Sequence, residues 1–199
     1  MKKKVAILYG FGEGPLIARK FNKTLNNRGF EITDDASVAD FIIAHSAGIY
    51  FVPSVHKAKC IILDAPSIGD GQTWLNIQFR KLKLDFNHAK ETKKLLVWFY
   101  KSFLNLLYMM LRIPDEIKMA HAYLKYRYNL PIIQNSRILV IVHKYDPWSS
   151  EISLSVRKKH NTYKYIPSDG VHDDLWLHPD YYIDLLEESN SRVEKVMEK

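Results

Sequence analysis

Short apolar runs separated by segments of helical periodicity recur along this chain of 199 residues. Residues 5–9, 40–45, 59–64 and 137–143 are nearly continuous apolar runs, and residues 162–166 are predicted as a fifth strand. Runs of this kind lack the alternation of a half-exposed strand, which indicates strands that are buried on both faces. A further short strand is predicted at residues 30–33.

Helical periodicity fills the intervals between these runs. Ile17, Phe21 and Leu25 are four residues apart, and Gly29 follows as the residue that ends a helix. Pro179 begins a final amphipathic segment, since proline is favoured in the first turn of a helix. Because strands alternate with helices, the fold class is predicted to be α/β, with an open, mostly parallel sheet and helices on both faces.

Residues 71–130 interrupt this alternation. They lie between two predicted strands that should be neighbours, so we interpret 71–130 as an inserted, largely helical cap and 1–70 with 131–199 as the core. Residues 75–86 alternate with period two, which leaves a hairpin and an irregular segment both open. Residues 95–113 are almost wholly apolar and predict a helix that Pro114 stops. Its polar positions form one narrow stripe, composed of Lys94, Lys101, Asn105, Tyr108 and Arg112.

The apolar helix has three interpretations. A membrane-spanning helix needs about 20 mostly apolar residues, and Lys101 near the middle would be costly in one. A cap helix with its broad apolar face on the domain or on a ligand is the more economical interpretation. Binding of that face to a membrane surface stays open as an alternative.

The amino-acid composition indicates a globular domain. Hydrophobic residues make up 47% of the chain and charged residues 26%, which is typical of a globular domain. The net charge is +7, but the basic residues are scattered, so no nucleic-acid partner is expected. Cys60 is the single cysteine, which excludes an intrachain disulfide, and its apolar neighbours indicate a core residue. The first apolar run is too short for a signal peptide, so a cytoplasmic location is expected.

The most informative motif is Ala44-His45-Ser46-Ala47-Gly48, a small-x-Ser-x-Gly sequence directly after a predicted buried strand. A serine in such an elbow adopts a strained backbone conformation that lifts its hydroxyl clear of the sheet. Ala44 and Gly48 are small enough to let the strand and the following segment approach closely. The residues after the elbow are compatible with a helix as far as about residue 56.

With this elbow, the chain resembles the α/β-hydrolase superfamily from its first strand to its last helix, apart from the insertion. In that family an oxyanion loop follows an early strand, as residues 9–14 do here with Tyr-Gly-Phe-Gly-Glu-Gly. The acid of the family follows a later strand, as Asp146 does in residues 142–147. Its histidine lies in a loop before the last helix, as His172 does in residues 169–173. The order serine, acid, histidine is also that of the family.

The resemblance implies a role for each residue. Ser46 would be the nucleophile, His172 the base that takes its proton, and Asp146 the acid that orients the base. Backbone N–H groups of Ala47 and of Phe11 or Gly12 would form the oxyanion hole. Asp64 also stands at the end of a strand and is the alternative acid.

The resemblance also implies the activity. We expect a serine hydrolase that cleaves esters through an acyl-enzyme, with machinery that suits thioesters and amides too. Trp98, Phe99 and Phe103 suggest an apolar pocket for the acyl group, although packing of the insertion on the core is the somewhat better explanation of them. No cofactor is expected, because no residue spacing resembles a metal site and the glycine loop does not match nucleotide-binding patterns.

Two departures from the family pattern accompany the resemblance. Ser46 comes early in the chain, and the leading antiparallel strands of larger members are absent, so this is a minimal version of the fold. The elbow has Ala44 where many members have glycine. A second hypothesis is therefore a non-catalytic binding module on the same fold, which docks to a membrane surface or a partner through residues 95–113.

Overall fold

The computed structural model describes residues 2–10, 12–66, 82–83, 85–87, 89–91, 93–126, 130, 133, 136–146 and 154–197. Its described strands are all parallel and form one sheet in the order β2-β1-β3-β4-β5-β6. The strands are β1 (Lys4–Leu8), β2 (Glu31–Thr33), β3 (Phe41–His45), β4 (Cys60–Asp64), β5 (Arg137–His143) and β6 (Lys164–Ser168). The predicted parallel α/β sheet is confirmed, and β6 begins two residues later than expected.

Helical segments connect most of the strands, as the alternating pattern predicts, whereas residues 34–40 between β2 and β3 contain no helix. They are α1 (Arg19–Asn27), a 3-10 helix (Ser46–Phe51), α2 (Leu95–Leu111), α3 (Ile113–Tyr126), α4 (Leu154–Lys159), α5 (Asp174–Leu177) and α6 (Pro179–Met197). Gly29 directly follows the C-cap of α1 with φ of +83°, a conformation that glycine adopts without steric cost.

The sheet is buried on both faces, since successive side chains of a strand point to opposite sides. Phe41 and Ile43 of β3 pack on one side, in a cluster that includes Phe21 of α1 and Trp176 of α5. Ile42 of β3 packs on the other side, in a cluster with Ala44 and Ile49. This two-sided burial explains why the strand sequences are continuous apolar runs.

The insertion leaves the sheet between two paired strands. Residues of β4 pair with β5 in parallel from Cys60 opposite Arg137 to Asp64 opposite Ile141, so the expected neighbours are confirmed. The predicted apolar helix is α2, which ends at Leu111. Pro114 lies in the first turn of α3, where backbone N–H groups have no partner within the helix, so the N–H that proline lacks is not needed. Residues 75–81 of the segment with period-two alternation lie outside the described residues, and the described residues between 82 and 91 are helical.

The segment after the elbow is shorter than the sequence suggests. A 3-10 helix of six residues replaces the expected helix to about residue 56 and ends at Phe51. The cause is Pro53, because a proline disfavours the helical conformation of the residue before it. Val52 accordingly has φ of −60° and ψ of 119°, which turns the chain away from the helix axis.

The orientation of α2 is opposite to the expected one. The broad apolar face of α2 is exposed, while Lys101 and Arg112 from its polar stripe are half-buried. Arg112 Nη1 donates to the backbone oxygen of Glu13 at 3.3 Å, and this contact joins the C-terminal end of the polar stripe to the loop after β1. Among the described residues, no helix combines the length and the apolar character that crossing a bilayer requires.

Candidate active site

Ser46 lies at a sharp turn between β3 and the 3-10 helix. Its φ is +52°, in the left-handed region that L-residues rarely adopt, so the backbone there is strained. The side chain is 4% exposed. A β-carbon at Gly48 would lie 2.2 Å from the backbone oxygen of Leu8, so only glycine fits between the elbow and β1. Ala44 and Ala47 are buried on either side of Ser46. These features are those expected of a nucleophile elbow.

The loop after β1 passes directly over Ser46. A β-carbon at Gly10 would lie 2.6 Å from the β-carbon of Ser46 and 3.1 Å from its Oγ. The absence of a side chain at Gly10 therefore allows the loop backbone to approach the hydroxyl. This places the predicted oxyanion loop beside the predicted nucleophile.

Asp146 and His172 are adjacent in space. Nδ1 of His172 lies 3.0 Å from Oδ1 of Asp146, and both side chains are buried. Asp146 follows β5 in a turn in which its N–H donates to the backbone oxygen of His143 at 3.2 Å. His172 lies just before α5, in the loop that precedes the last two helices. The carboxylate therefore lies within ion-pair distance of this ring nitrogen, although Nδ1 makes no aligned hydrogen bond among the described residues.

Asp64, the alternative acid, has other partners. Its Oδ1 lies 2.9 Å from Nε2 of His143 and accepts a hydrogen bond from the hydroxyl of Tyr182, also at 2.9 Å. Burial lowers the pKa of His143, but the charge of Asp64 and its hydrogen bond outweigh burial and raise it overall. Burial and the Asp64 charge raise the pKa of Tyr182 well above its usual range. Asp64 thus belongs to a buried group that ties β4, β5 and α6 together.

A second buried pair lies beneath the elbow. Nδ1 of His45 is 2.8 Å from Oε2 of Glu13 and 2.7 Å from Oε1. Glu13 also accepts hydrogen bonds from the backbone N–H of Gly10 at 2.7 Å and from Nε1 of Trp176 at 3.1 Å. One carboxylate therefore joins the loop after β1, the strand that carries the elbow, and the helix after His172.

Each member of the pair shifts the pKa of the other despite its burial. Burial by itself lowers the pKa of His45, but the charge and hydrogen bond of Glu13, together with the charge of Asp64, raise it to about 9. Burial raises the pKa of Glu13, but the charge and hydrogen bond of His45 lower it overall. Each partner thus stabilises the ionised form of the other, as in other buried ion pairs.

His45 also fixes the backbone beside the predicted base. Its Nε2 lies 2.7 Å from the backbone oxygen of His172, and a charged imidazole donates from both nitrogens. The ring centroids of His45 and His172 are 4.8 Å apart. Because Ser46 directly follows His45, this contact holds the loop of His172 next to the elbow.

Gly12, a predicted oxyanion donor, has a partner from the insertion. Its backbone N–H donates to Oε1 of Glu116 in α3 at 3.0 Å. Glu116 is buried, and burial raises the pKa of its carboxyl, with a smaller opposing contribution from the Gly12 hydrogen bond. Phe11, the other predicted donor of this loop, lies outside the described residues.

Two cavities border these loops. One, of about 70 Å³, lies between α2 and the loop of His172, and its lining includes Trp98, Lys101 and Val171. The other, of about 360 Å³, lies beside β1 and the α2–α3 junction, and its lining includes Tyr9 and Phe51. Phe99 and Phe103, which the sequence suggests as pocket residues, are instead 57% and 63% exposed, because the outer face of α2 carries them.

Sequence reasoning missed the two acidic residues of this site. Glu13 is the only acidic residue of the glycine loop, and that isolation was a signal. Glu116 follows Asp115 in the first turn of a helix, where acidic residues are ordinary, so nothing in the sequence marked it. Among the described residues, no group of three or more histidine, cysteine or acidic side chains has the arrangement of a metal site.

Comparisons with known proteins bear on the fold. No protein-family model and no curated protein sequence matches the chain. A carboxylesterase of the thaumarchaeon Nitrososphaera gargenis is similar in structure, with a TM-score of 0.59, 10% identity and coverage of 98% of this chain and 92% of that one. The esterase EaEST from Exiguobacterium antarcticum has a TM-score of 0.56, with 9% identity and coverage of 94% and 91%.

A third similar structure is the thioesterase domain from the curacin biosynthetic pathway. Its TM-score is 0.55, with 11% identity and coverage of 92% of this chain and 90% of that one. The similarity extends over nearly the whole of each chain, while sequence identity is about a tenth. This protein therefore has the α/β-hydrolase fold.

Proposed function

We propose that this protein is a serine hydrolase that cleaves carboxylic esters through an acyl-enzyme on Ser46. The observation that supports the proposal most directly is the 3.0 Å separation of His172 Nδ1 and Asp146 Oδ1, in a loop that contacts the strained serine elbow. The structural similarity to esterases and a thioesterase agrees with it at the level of the fold.

In the proposed reaction, Ser46 attacks the ester carbonyl and His172 takes its proton. Asp146 holds the tautomer of His172 that leaves Nε2 free to accept that proton, and it stabilises the imidazolium that forms. His172 then gives the proton to the leaving alcohol as the ester C–O bond breaks. Water then attacks the acyl-enzyme while His172 takes its proton. His172 gives this proton to Ser46 as the acyl C–O bond breaks, which releases the carboxylic acid and restores Ser46.

The oxyanion of the tetrahedral intermediate needs backbone donors. The N–H groups of Ala47 and Gly12 are the proposed pair, with Phe11 as the alternative in the same loop. Each such donor typically lowers the barrier by about 2.7–4 kcal/mol. Since Gly12 donates to Glu116, the carboxylate of Glu116 must leave this N–H before the oxyanion can use it. Thioesters pass through the same intermediate and are included in the proposal.

Labelling with a fluorophosphonate probe tests the proposal. The wild-type protein should be labelled, and Ser46→Ala should not be, because the probe reacts only with an activated serine. Ser54→Ala is the matched control, since Ser54 is exposed and lies eight residues further along the chain. A protein that is folded by circular dichroism and never labels would support the non-catalytic binding module instead.

A panel of nitrophenyl esters of increasing acyl length then defines the substrate. We expect rates to depend on chain length, because both cavities beside the site have aromatic side chains in their lining. A flat response over the panel would contradict an apolar acyl pocket. Thioester and amide analogues of the best ester would rank the three bond types.

A further inference from the structure

The outer face of α2 is an exposed apolar surface without interruption. Leu96, Phe99, Phe103, Leu106 and Met110 follow one another at steps of three and four residues, and all are exposed, with Leu96 86% and Met110 66% exposed. Ile117 and Leu124 of α3 are exposed as well. Contiguous apolar surface of this extent marks an interaction site in a folded protein.

The width of this face distinguishes between two kinds of occupant. In a helix that pairs with a second helix, a narrow apolar seam is flanked by charged residues. Here the flanking positions Tyr100, Leu107 and Leu111 are also apolar and exposed. A broad apolar face with aromatic residues is typical of a helix that lies in the plane of a membrane interface.

The charges near the face are mostly basic, with Glu91 as an exposed acid among the lysines before α2. Lys90, Lys93 and Lys94 are exposed just before α2, and Lys118 of α3 is 72% exposed. Helix α2 contains no acidic residue. Asp115, the nearest exposed acid of α3, is 3.0 Å from Arg112 and 3.7 Å from Lys118, which neutralise it.

Charge complementarity therefore selects the occupant. A second copy would bring another set of lysines against these lysines, whereas anionic headgroups attract each of them. We propose that the outer face of α2 and α3 binds an anionic phospholipid surface, with the apolar side chains in the interface and the lysines on the headgroups. The proposal concerns docking alone and is independent of the reaction at Ser46.

Vesicle co-sedimentation of the full chain tests the proposal. The protein should bind vesicles of phosphatidylcholine and phosphatidylglycerol in equal parts, and bind vesicles of phosphatidylcholine alone about tenfold more weakly. The double variant Phe103→Glu, Met110→Glu should bind the anionic vesicles at least about tenfold more weakly than the wild type. Phe103→Ser with Met110→Ser removes the apolar groups without adding charge and should weaken binding in the same direction.

The matched control is Val38→Glu with Val55→Glu, which changes the charge equally at exposed apolar positions outside the insertion. It should bind like the wild type, and circular dichroism establishes that each variant is folded. Equal binding to neutral and anionic vesicles, or undiminished binding of the Phe103 and Met110 variants, would overturn the proposal. A dimer in sedimentation that only those variants abolish, without vesicle binding, would overturn it too and assign the face to a second copy.

Discussion

The backbone N–H of Gly12 donates to Oε1 of Glu116 at 3.0 Å, across 104 residues of sequence. This contact joins the loop over the serine elbow to the first turn of α3. In the proposed hydrolase, a carboxylate at this N–H occupies the place of the oxyanion. The contact therefore leads to a prediction about Glu116 itself.

Replacing Glu116 with alanine should raise the rate of ester cleavage. The change frees the N–H of Gly12 and removes a negative charge that repels the oxyanion. A hydrogen bond to a charged group contributes about 1.5–3 kcal/mol, so we expect kcat/KM to rise by about ten- to a hundredfold. Glu116→Gln, which keeps an acceptor without the charge, should give a smaller increase. Glu91→Ala is the control, because Glu91 is exposed elsewhere in the insertion. A loss of activity in Glu116→Ala would show that the carboxyl assists the reaction.

The two candidate acids should respond differently to substitution. Asp146→Asn removes the carboxylate beside His172 and should lower kcat by about three to four orders of magnitude, with little change in KM. Asp64→Asn should leave most of the activity and instead lower the free energy of unfolding. The change removes the carboxylate that pairs with His143 in the core. Steady-state kinetics and urea unfolding of both variants provide the measurements. The reverse pattern would make Asp64 the acid.

The Glu13–His45 pair predicts a pH dependence of stability. The pKa of His45 is about 9 in the folded protein, compared with an ordinary value of 6.5. The contribution of His45 to the free energy of unfolding is therefore complete below pH 6.5 and is lost as the pH rises through about 9. The free energy of unfolding should fall over this interval by up to about 3 kcal/mol. Urea unfolding at a series of pH values measures the fall.

The matched variant for this prediction is Glu13→Gln. It removes the charge that raises the pKa of His45, so its stability should fall less between pH 6.5 and pH 9 than that of the wild type. Glu187→Gln, which affects an exposed pair with Arg28, should keep the wild-type slope. An NMR titration of His45 in the wild type provides a second measurement. A His45 pKa near 6.5 would refute the prediction.

Replacement by alanine should destabilise the protein more at Gly48 than at Gly29. Gly48→Ala forces a β-carbon to within 2.2 Å of the backbone oxygen of Leu8, so the elbow or β1 must move. We expect a loss of about 3 kcal/mol in the free energy of unfolding, with a loss of probe labelling. Gly29→Ala meets no neighbouring atom and has only its φ of +83° to accommodate, which costs about 1–2 kcal/mol. Equal destabilisation of both variants would exclude close packing as the reason for Gly48.

Trp98 and Phe99 are neighbours in the sequence, but only Trp98 should affect substrate binding. Trp98 is half-buried and contributes to the cavity beside the His172 loop, whereas Phe99 faces outward. Trp98→Ala should therefore shift the acyl-length preference in the nitrophenyl ester panel toward longer chains. Phe99→Ala should leave the preference unchanged. If both variants match the wild type, the acyl group binds elsewhere, and the cavity that includes Phe51 is the next candidate.

Local sequence patterns predicted the strands and the helices α1, α2 and α6. A strand buried on both faces must be a continuous apolar run, and a helix must repeat at three to four residues, so β3 and α2 were recognisable from their neighbours in the chain. The elbow was recognisable for the same reason, since the small residues around Ser46 serve a local turn. The assignment of Ser46, His172 and Asp146 to a triad, and of residues 71–130 to a cap, stays a prediction.

Which side chains contact one another depends on the three-dimensional arrangement of the elements. Glu13 joins His45 and Trp176, and Gly12 joins Glu116, through contacts that span between 32 and 163 residues. No local pattern encodes such pairs, because they depend on the order of the strands and on the path of the insertion. The orientation of α2 has the same origin. Its periodicity defined two faces, but which face is exposed depends on tertiary contacts, such as that of Arg112 with the backbone of Glu13.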